Sequence, residues 1–423
     1  MEAYATALLY AIPMFMGLVF IEWLYGYFKG NQTQNSFDTI SSLSSGVTNS
    51  IKDSLGLVVV LVSYPFMLEH LGFLMQEPSI AVYLIGFVAI DFASYWNHRL
   101  AHSINYFWNR HVVHHSSEEF NLPCALRQSV SEIFGFYAIF LIPAAMLGVP
   151  HKVIGVIAPL HLFMQFWYHT KHIPKLGFLE YIIVTPSQHR VHHAINEIYL
   201  DKNLGAIFCV WDRLFGTFQE ELEEVPPVYG VLAPPKTWNP IKINFQHLWR
   251  LMKDAWRTNS VSAKFLIWFK PLGWRPDDMK EKYPGVKIGD VYAYQKYDTN
   301  PSNAFIAYSF YQLLMANALL YYSFYNYANM DYGSLLLSGV ITFVSIYGYT
   351  SLMDREKVAP FIETARSIAG LLVIILTGSW FGIHEYFSIG NYLIAFYFLS
   401  SIAGAFYFSF VEKGSFAKGV ENV

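Results

Sequence analysis

Long apolar runs joined by short polar turns fill most of this chain, and one long polar section, about residues 171–302, interrupts them. A helix that crosses a bilayer needs about 20 mostly apolar residues. Nine stretches approach that length: roughly 5–28, 54–75, 80–96, 133–149, 153–168, 303–327, 333–352, 365–383 and 388–410. The pattern predicts an all-α, polytopic membrane protein with about nine transmembrane helices. The first run is flanked by neither a basic segment nor a small-residue cleavage site, so it reads as a span and not as a signal peptide.

Composition agrees. Of 423 residues, 54% are hydrophobic and 14% charged, against about 45–50% and about 25% in ordinary soluble domains. A net charge of −3 gives no reason to expect a nucleic-acid partner. Two cysteines, Cys124 and Cys209, are too few for a disulfide framework or a thiolate metal site. Lys and Arg are enriched in cytoplasmic loops. With nine spans and an external N-terminus, residues 97–132 and 171–302 fall inside, together with Arg355, Lys357, Lys413 and Lys418. Lys152 is the lone basic residue on the other side. The expected location is a bacterial inner membrane or endoplasmic reticulum.

Candidate chemistry is concentrated between Asp91 and His193, which holds twelve of the fifteen histidines. They form three boxes: His98 and His102; His111, His114 and His115; His189, His192 and His193. Residues four apart share a helix face, so each box stacks its first and last imidazole. All three boxes fall on the expected cytoplasmic face. Clustered imidazoles repel protons from one another and need a shared cation. Eight exceed the three or four protein ligands of one zinc, and the HExxH of zinc peptidases is absent. Two iron ions are the economical reading. Two zinc ions or a copper pair remain open, because imidazole suits all of these metals.

Asp91, Tyr95, His98 and His102 are spaced four, three and four, one helical stripe. A carboxylate inside a span is a functional candidate by default, and Asp91 is placed to orient a ligand imidazole. Asn121 and Arg127, after the second box, are candidates for holding a polar head group or cofactor. Asp201, Asn203 and Asp212 are candidates for supporting the ligands from behind. WDRLFGTF at 211–218 is expected to cap the site. The Trp-rich amphipathic stretch at 243–257 suits a helix lying in the membrane interface.

HRLAH, then WNRHVVHHSSEEFNLPCALRQS and TPSQHRVHHAINEIYLDKNLGAIFCVWDRLFGTF, resemble the fatty-acid hydroxylase and sterol desaturase superfamily over roughly residues 80–220. SSEEFNLPCALRQS and the extra C-terminal spans favour its branch that acts on glycerol ethers. The resemblance implies a diiron centre held by His98, His102, His111, His114, His115, His189, His192 and His193, with His169 as a further ligand. It implies an O2-using monooxygenase of a membrane lipid that oxidises the ether-linked carbon and releases a fatty aldehyde. Tetrahydrobiopterin is a possible cofactor, and the electron donor is otherwise open. Ser103 and Gln188 stand where the animal members are expected to carry an acidic residue and a histidine. The alternatives are a fatty-acyl or sterol hydroxylase or desaturase with another donor, and a histidine-rich metal transporter or sensor. The expected organisation is residues 1–79 as N-terminal spans, 80–220 as hydroxylase core, 221–302 as an interfacial segment and 303–423 as a four-span block.

Overall fold

The computed structural model describes residues 2–132, 134–135 and 137–412. Ile133, Lys413 and Lys418 lie outside them. The described chain is mostly helical, with a single two-stranded parallel pairing of β1 (Val59–Val60) and β2 (Phe134–Gly135). Helices α1 (Glu2–Lys29) and α2 (Ser36–Ser54) precede α3 (Tyr64–Leu71), α4 (Ile80–Ser103) and α5 (Asn105–His115). Then come α6 (Ile142–Met146), α7 (His151–Phe163), α8 (Pro186–His192), α9 (Val210–Phe215), α10 (Pro240–Arg257), α11 (Val261–Leu266) and α12 (Asp277–Lys282). The chain closes with α13 (Asn303–Tyr325), α14 (Tyr332–Met353), α15 (Ala359–Thr377), α16 (Ile383–Tyr386) and α17 (Gly390–Phe406).

Among the described residues, six helices are long and apolar enough to cross a membrane: α1, α4, α13, α14, α15 and α17 with the turn that follows it. The protein is a multi-pass membrane protein. Three of the nine expected runs take other forms. The run at 54–75 breaks into β1 and the eight-residue α3, where Ser63 caps the helix and Pro65 occupies its first turn. The run at 133–149 becomes β2, a 3-10 turn at Tyr137–Leu141 and the five-residue α6. The run at 153–168 yields only the thirteen residues of α7, with Pro159 inside it.

Hydropathy gives no hint of α2. Its sequence, SFDTISSLSSGVTNSIKDS, is nearly half hydroxyl-bearing, yet twelve of its nineteen residues are buried and none is exposed. Asn35 caps it by accepting from the backbone N–H of Phe37 and Asp38. It lies antiparallel to α14: Gly339 approaches Ile51 and Leu55 near one end, and Ser44 Oγ meets Tyr349 Oη at 2.5 Å toward the other. Phe37, Ile40, Val47, Leu313 and Ile346 form a core shared with α13 and α14. A second core joins α3, α4, α6 and α7 through Met67, Val82, Ile90, Val149 and Val153.

Helix α10 runs between the ends of two long helices. At its start, the Asn239 amide donates to Tyr347 O and Ser351 Oγ near the end of α14. The chain after α11 then bonds the end of α4 and the start of α5, with Leu272 N donating to Ser103 O at 2.9 Å and Tyr106 N to Trp268 O at 3.0 Å. Along the way α10 supports α5, where Leu248 N donates to Asn109 Oδ1 at 3.1 Å. Its outer face leaves Trp249 57% and Trp256 86% exposed.

The C-terminal helices hold a charge pair that their apolar pattern conceals. Glu363 and Arg366 of α15 are both buried and bonded to each other at 2.5 Å. Arg366 also donates to Gln312 Oε1 at 3.1 Å and lies over the Tyr397 ring. Gly348 backs directly onto the Glu363 carboxylate, where an added Cβ would stand 2.0 Å from Oε1. Removing one member of a buried pair strands the other charge and costs about 3–5 kcal/mol, whereas replacing both is far milder. Arg366→Met is therefore expected to lower thermal stability in detergent sharply, and Glu363→Gln combined with Arg366→Met to recover much of it. A single variant no less stable than the double would refute this account.

Candidate metal centre

The helix that begins at Ser79 delivers the first box at its far end. Ser79 caps α4 by accepting from Val82 N, and 24 helical residues later the helix ends at Ser103. Ile104 adopts extended backbone and starts α5, so the second box turns back against the first. Thr185 and Pro186 start α8, a helix of seven residues that carries the third. His169 joins from the coil after α7.

Nine imidazoles converge in two groups. One holds His98, His102, His111, His115 and His192; the other holds His114, His169, His189 and His193. Within each group the ligand atoms lie within 4.8 Å of one another. Nε2 atoms face Nε2 atoms: His98–His111 at 2.8 Å, His111–His115 at 3.0 Å, His169–His189 at 2.8 Å and His189–His193 at 3.1 Å. The groups adjoin through the stacked rings of His115 and His193, 4.4 Å apart. Trp108, Phe120 and Tyr168 pack around them.

The donor set fits a soft-to-borderline divalent metal. The Nε2 atoms of His102 and His192 are buried without a hydrogen-bond partner. Burial holds His111, His114, His115, His189, His192 and His193 well below the usual value of 6.5, and neighbouring imidazoles add to the effect. His169 is pushed down to about 3, chiefly by burial. Neutral imidazole is the form that binds metal. These seven imidazoles are thus held in the ligating state.

The supporting residues differ from the stripe expected on α4. Asp91 does not touch the box imidazoles. Its buried carboxylate accepts from Ile207 N at 2.8 Å, Phe208 N at 3.1 Å and Trp211 Nε1 at 2.8 Å, and meets His161 Nε2 at 2.8 Å. It anchors the chain after the third box to α4. The expected cap at 211–218 packs beside α4, with Phe215 stacked on Tyr95, and does not cover the imidazoles. Asn121 lies off both groups: its amide donates to Thr33 O and its carbonyl accepts from Cys124 N. Arg127 is consumed by Asp38, Ser42 and Ser116, at 2.7, 2.9 and 2.7 Å. This buried network braces the turn after His115 and leaves no guanidinium group for a head group. Asp201 does reach a ligand, meeting His102 Nδ1 at 3.0 Å. The contributions of Asp38 and of backbone carbonyls carry no sequence signal.

A helical membrane scaffold with three histidine boxes at its helix ends defines the class, and residues 83–217 match the family model described as fatty acid hydroxylase. The chain is 34% identical to alkylglycerol monooxygenase of Homo sapiens over 369 residues, covering 86% of this chain and 81% of that protein. It is 37% identical to alkylglycerol monooxygenase of Danio rerio over 268 residues, 63% of this chain and 59% of that one. The chain belongs to the alkylglycerol monooxygenase family. Ornithine lipid hydroxylase OlsE of Rhizobium tropici is a more distant relative, 29% identical over 173 residues, 41% of this chain and 52% of its own. No solved structure matches the chain.

The depressed imidazole values set a pH dependence. In the unfolded chain each takes a proton near 6.5; in the folded, metal-free protein it does so only at lower pH. Stability is then fully present above that value and falls as pH drops through it, with a slope set by several protons at once. The denaturation midpoint of metal-free protein is expected to fall steeply from about pH 7 to about pH 5. A flat profile would contradict buried neutral imidazoles.

Proposed function

We propose that the protein is a membrane-bound, iron-dependent monooxygenase that oxidises the ether-linked carbon of 1-O-alkylglycerols. The observation that carries this is the pair of adjoining all-imidazole groups on a chain of the alkylglycerol monooxygenase family. Two irons fit the grouping, with His98, His102, His111, His115 and His192 holding one and His114, His169, His189 and His193 the other. Bound there, the iron would supply dioxygen activation with two external electrons. The chain's residues do the rest: the imidazoles aim inward, Trp108, Phe120 and Tyr168 exclude water, and the Asp91 carboxylate ties the third-box chain to α4. Oxygen inserted beside the ether oxygen gives a hemiacetal, which collapses to fatty aldehyde and glycerol. Asp91 and Asn121 act in this reading by holding backbone in place.

The Lys and Arg distribution supports nine crossings with the histidine boxes on the cytoplasmic side. Besides the six long apolar helices, α2 runs antiparallel to α14, and α7 runs alongside α4, where Val153 and Ile157 meet Gly86 while His161 meets Asp91. The segment between β2 and Val149 returns the chain between them. In this arrangement α10 and α11 lie in the interface, Trp249 and Trp256 toward lipid, and the core at 80–220 is flanked by the N-terminal spans and the four-span block.

Detergent-purified protein given ferrous iron, oxygen and a reduced pterin is expected to release a fatty aldehyde from a 1-O-alkylglycerol, and a ferredoxin or cytochrome arm tests the donor separately. Ser103, whose hydroxyl turns back to Arg99 O at 2.6 Å, offers no carboxylate to a pterin. His98→Ala, His115→Ala and His192→Ala should each abolish iron binding and turnover with membrane insertion intact; hydroxylated acyl chains or sterols in place of aldehyde would sink the ether-lipid reading.

For topology, a reporter in the 224–240 loop should read cytoplasmic and one at residue 1 the opposite side. A cytoplasmic N-terminus would remove one of the three unconventional crossings.

A further inference from the structure

The two imidazole groups are not supported alike. Three ring nitrogens of the five-imidazole group are fixed by one short segment, residues 201–204. Asp201 Oδ1 meets His102 Nδ1 at 3.0 Å, Lys202 O meets His192 Nδ1 at 3.0 Å, and Leu204 O meets His98 Nδ1 at 2.9 Å. These rings come from two different boxes. Each outward Nδ1–H that donates to such an acceptor leaves the Nε2 lone pair free to face inward, and the unpartnered Nε2 atoms of His102 and His192 are in that position.

The segment is built for this. Asp201 and Asn203 both adopt left-handed backbone, at φ +57° and +54°, which Asp and Asn tolerate better than most residues. Alternate left-handed residues let successive acceptors turn to one side. The Asn203 amide donates to Gln188 O and Gln219 O and accepts from Gln219 N, at 3.0, 2.8 and 2.8 Å. Asp212 accepts from Leu204 N at 2.6 Å and Gly205 N at 2.8 Å. The strap is therefore clamped on both sides before any metal arrives. In the four-imidazole group His169 is supported by Gln165 O at 3.0 Å, and the backbone of Arg127 lies near His114 without meeting full hydrogen-bond geometry. Its neighbours His114 and His189 have Nδ1 atoms that are buried and unpartnered.

We infer that residues 201–204 form a positioning strap that makes the five-imidazole group the metal-retaining position, loaded first and emptied last, with the four-imidazole group the exchangeable one. This rests on the two-metal reading above. Asp201 is a positioning residue: it acts through His102, and its side chain is 60% exposed, so its replacement removes no buried packing, and Ala adds only local backbone strain at its left-handed φ. Losing an outer hydrogen-bond partner of a ligand histidine typically costs about 10–100-fold in metal affinity.

The test is anaerobic release of ferrous iron from the full-length protein to a chromophoric chelator. Wild type should bind two irons and lose them in a fast and a slow phase of equal size. Asp201→Ala should accelerate the slow phase by about 10–100-fold and leave the fast phase unchanged. Asp201→Asn, whose amide oxygen still accepts from Nδ1, should resemble wild type. A single release phase in wild type, an accelerated fast phase in Asp201→Ala, or Asp201→Asn behaving as Asp201→Ala overturns the strap. A wild-type stoichiometry of one iron per chain would instead overturn the two-metal reading.

Discussion

The constraint on which this molecule depends is that nine imidazoles must be packed together, away from water, with their lone pairs turned inward. Each demand opposes a simpler one. Proximity needs ring nitrogens about 3 Å apart, as at His98–His111, yet such crowding is tolerable only if no ring is protonated. Dryness favours neutrality but removes the water that would otherwise satisfy each Nδ1–H. The chain meets this with backbone carbonyls at 202 and 204 and one carboxylate at 201, and ties their supports to the helices through Asp91 and Asp212. The acidic residues nearest the imidazole groups are therefore mostly scaffold.

A parallel arrangement stands behind the second box. Asp38 on α2 holds Arg127, which holds Ser116 beside His115. On the far side of the same helix, Ser44 meets Tyr349 of the C-terminal helices. Helix α2 is thus a polar wall between the metal centre and the block at 303–412, and its serines face protein in both directions. Buried hydroxyls of this kind are tolerated where they find a partner inside the helix pack, as Ser42, Ser44, Ser45 and Thr48 do.

The histidine grouping was legible because three boxes at helical spacing repeat one local pattern, and the resemblance placed them in the right superfamily. Six long helices were legible from uninterrupted hydropathy. Residues 54–75 misled because β-branched and aromatic residues satisfy a hydropathy window as well as a helix does, while Ser63 and Pro65 redirect the backbone. Residues 36–54 escaped for the converse reason: a helix that buries polar groups against polar groups has almost no hydropathy. Asp91 was singled out correctly as unusual, but its spacing to His98 and His102 suggested a contact that the rotation of α4 gives instead to the chain at 207–211.

Helix α2 also bears on the order in which the protein can be made. Ser44 and Tyr349 are 305 positions apart in the chain. While a ribosome is still producing the histidine boxes, the surface that will shelter those serines does not yet exist. A segment with this composition has little tendency to remain in lipid alone, so α2 must wait near the membrane until α13 and α14 emerge. The last helices then act as the receptor for one of the first. Completion of the imidazole cluster, whose second box leans on α2 through Arg127 and Asp38, becomes a late event in biogenesis, although all nine imidazoles have been translated by His193.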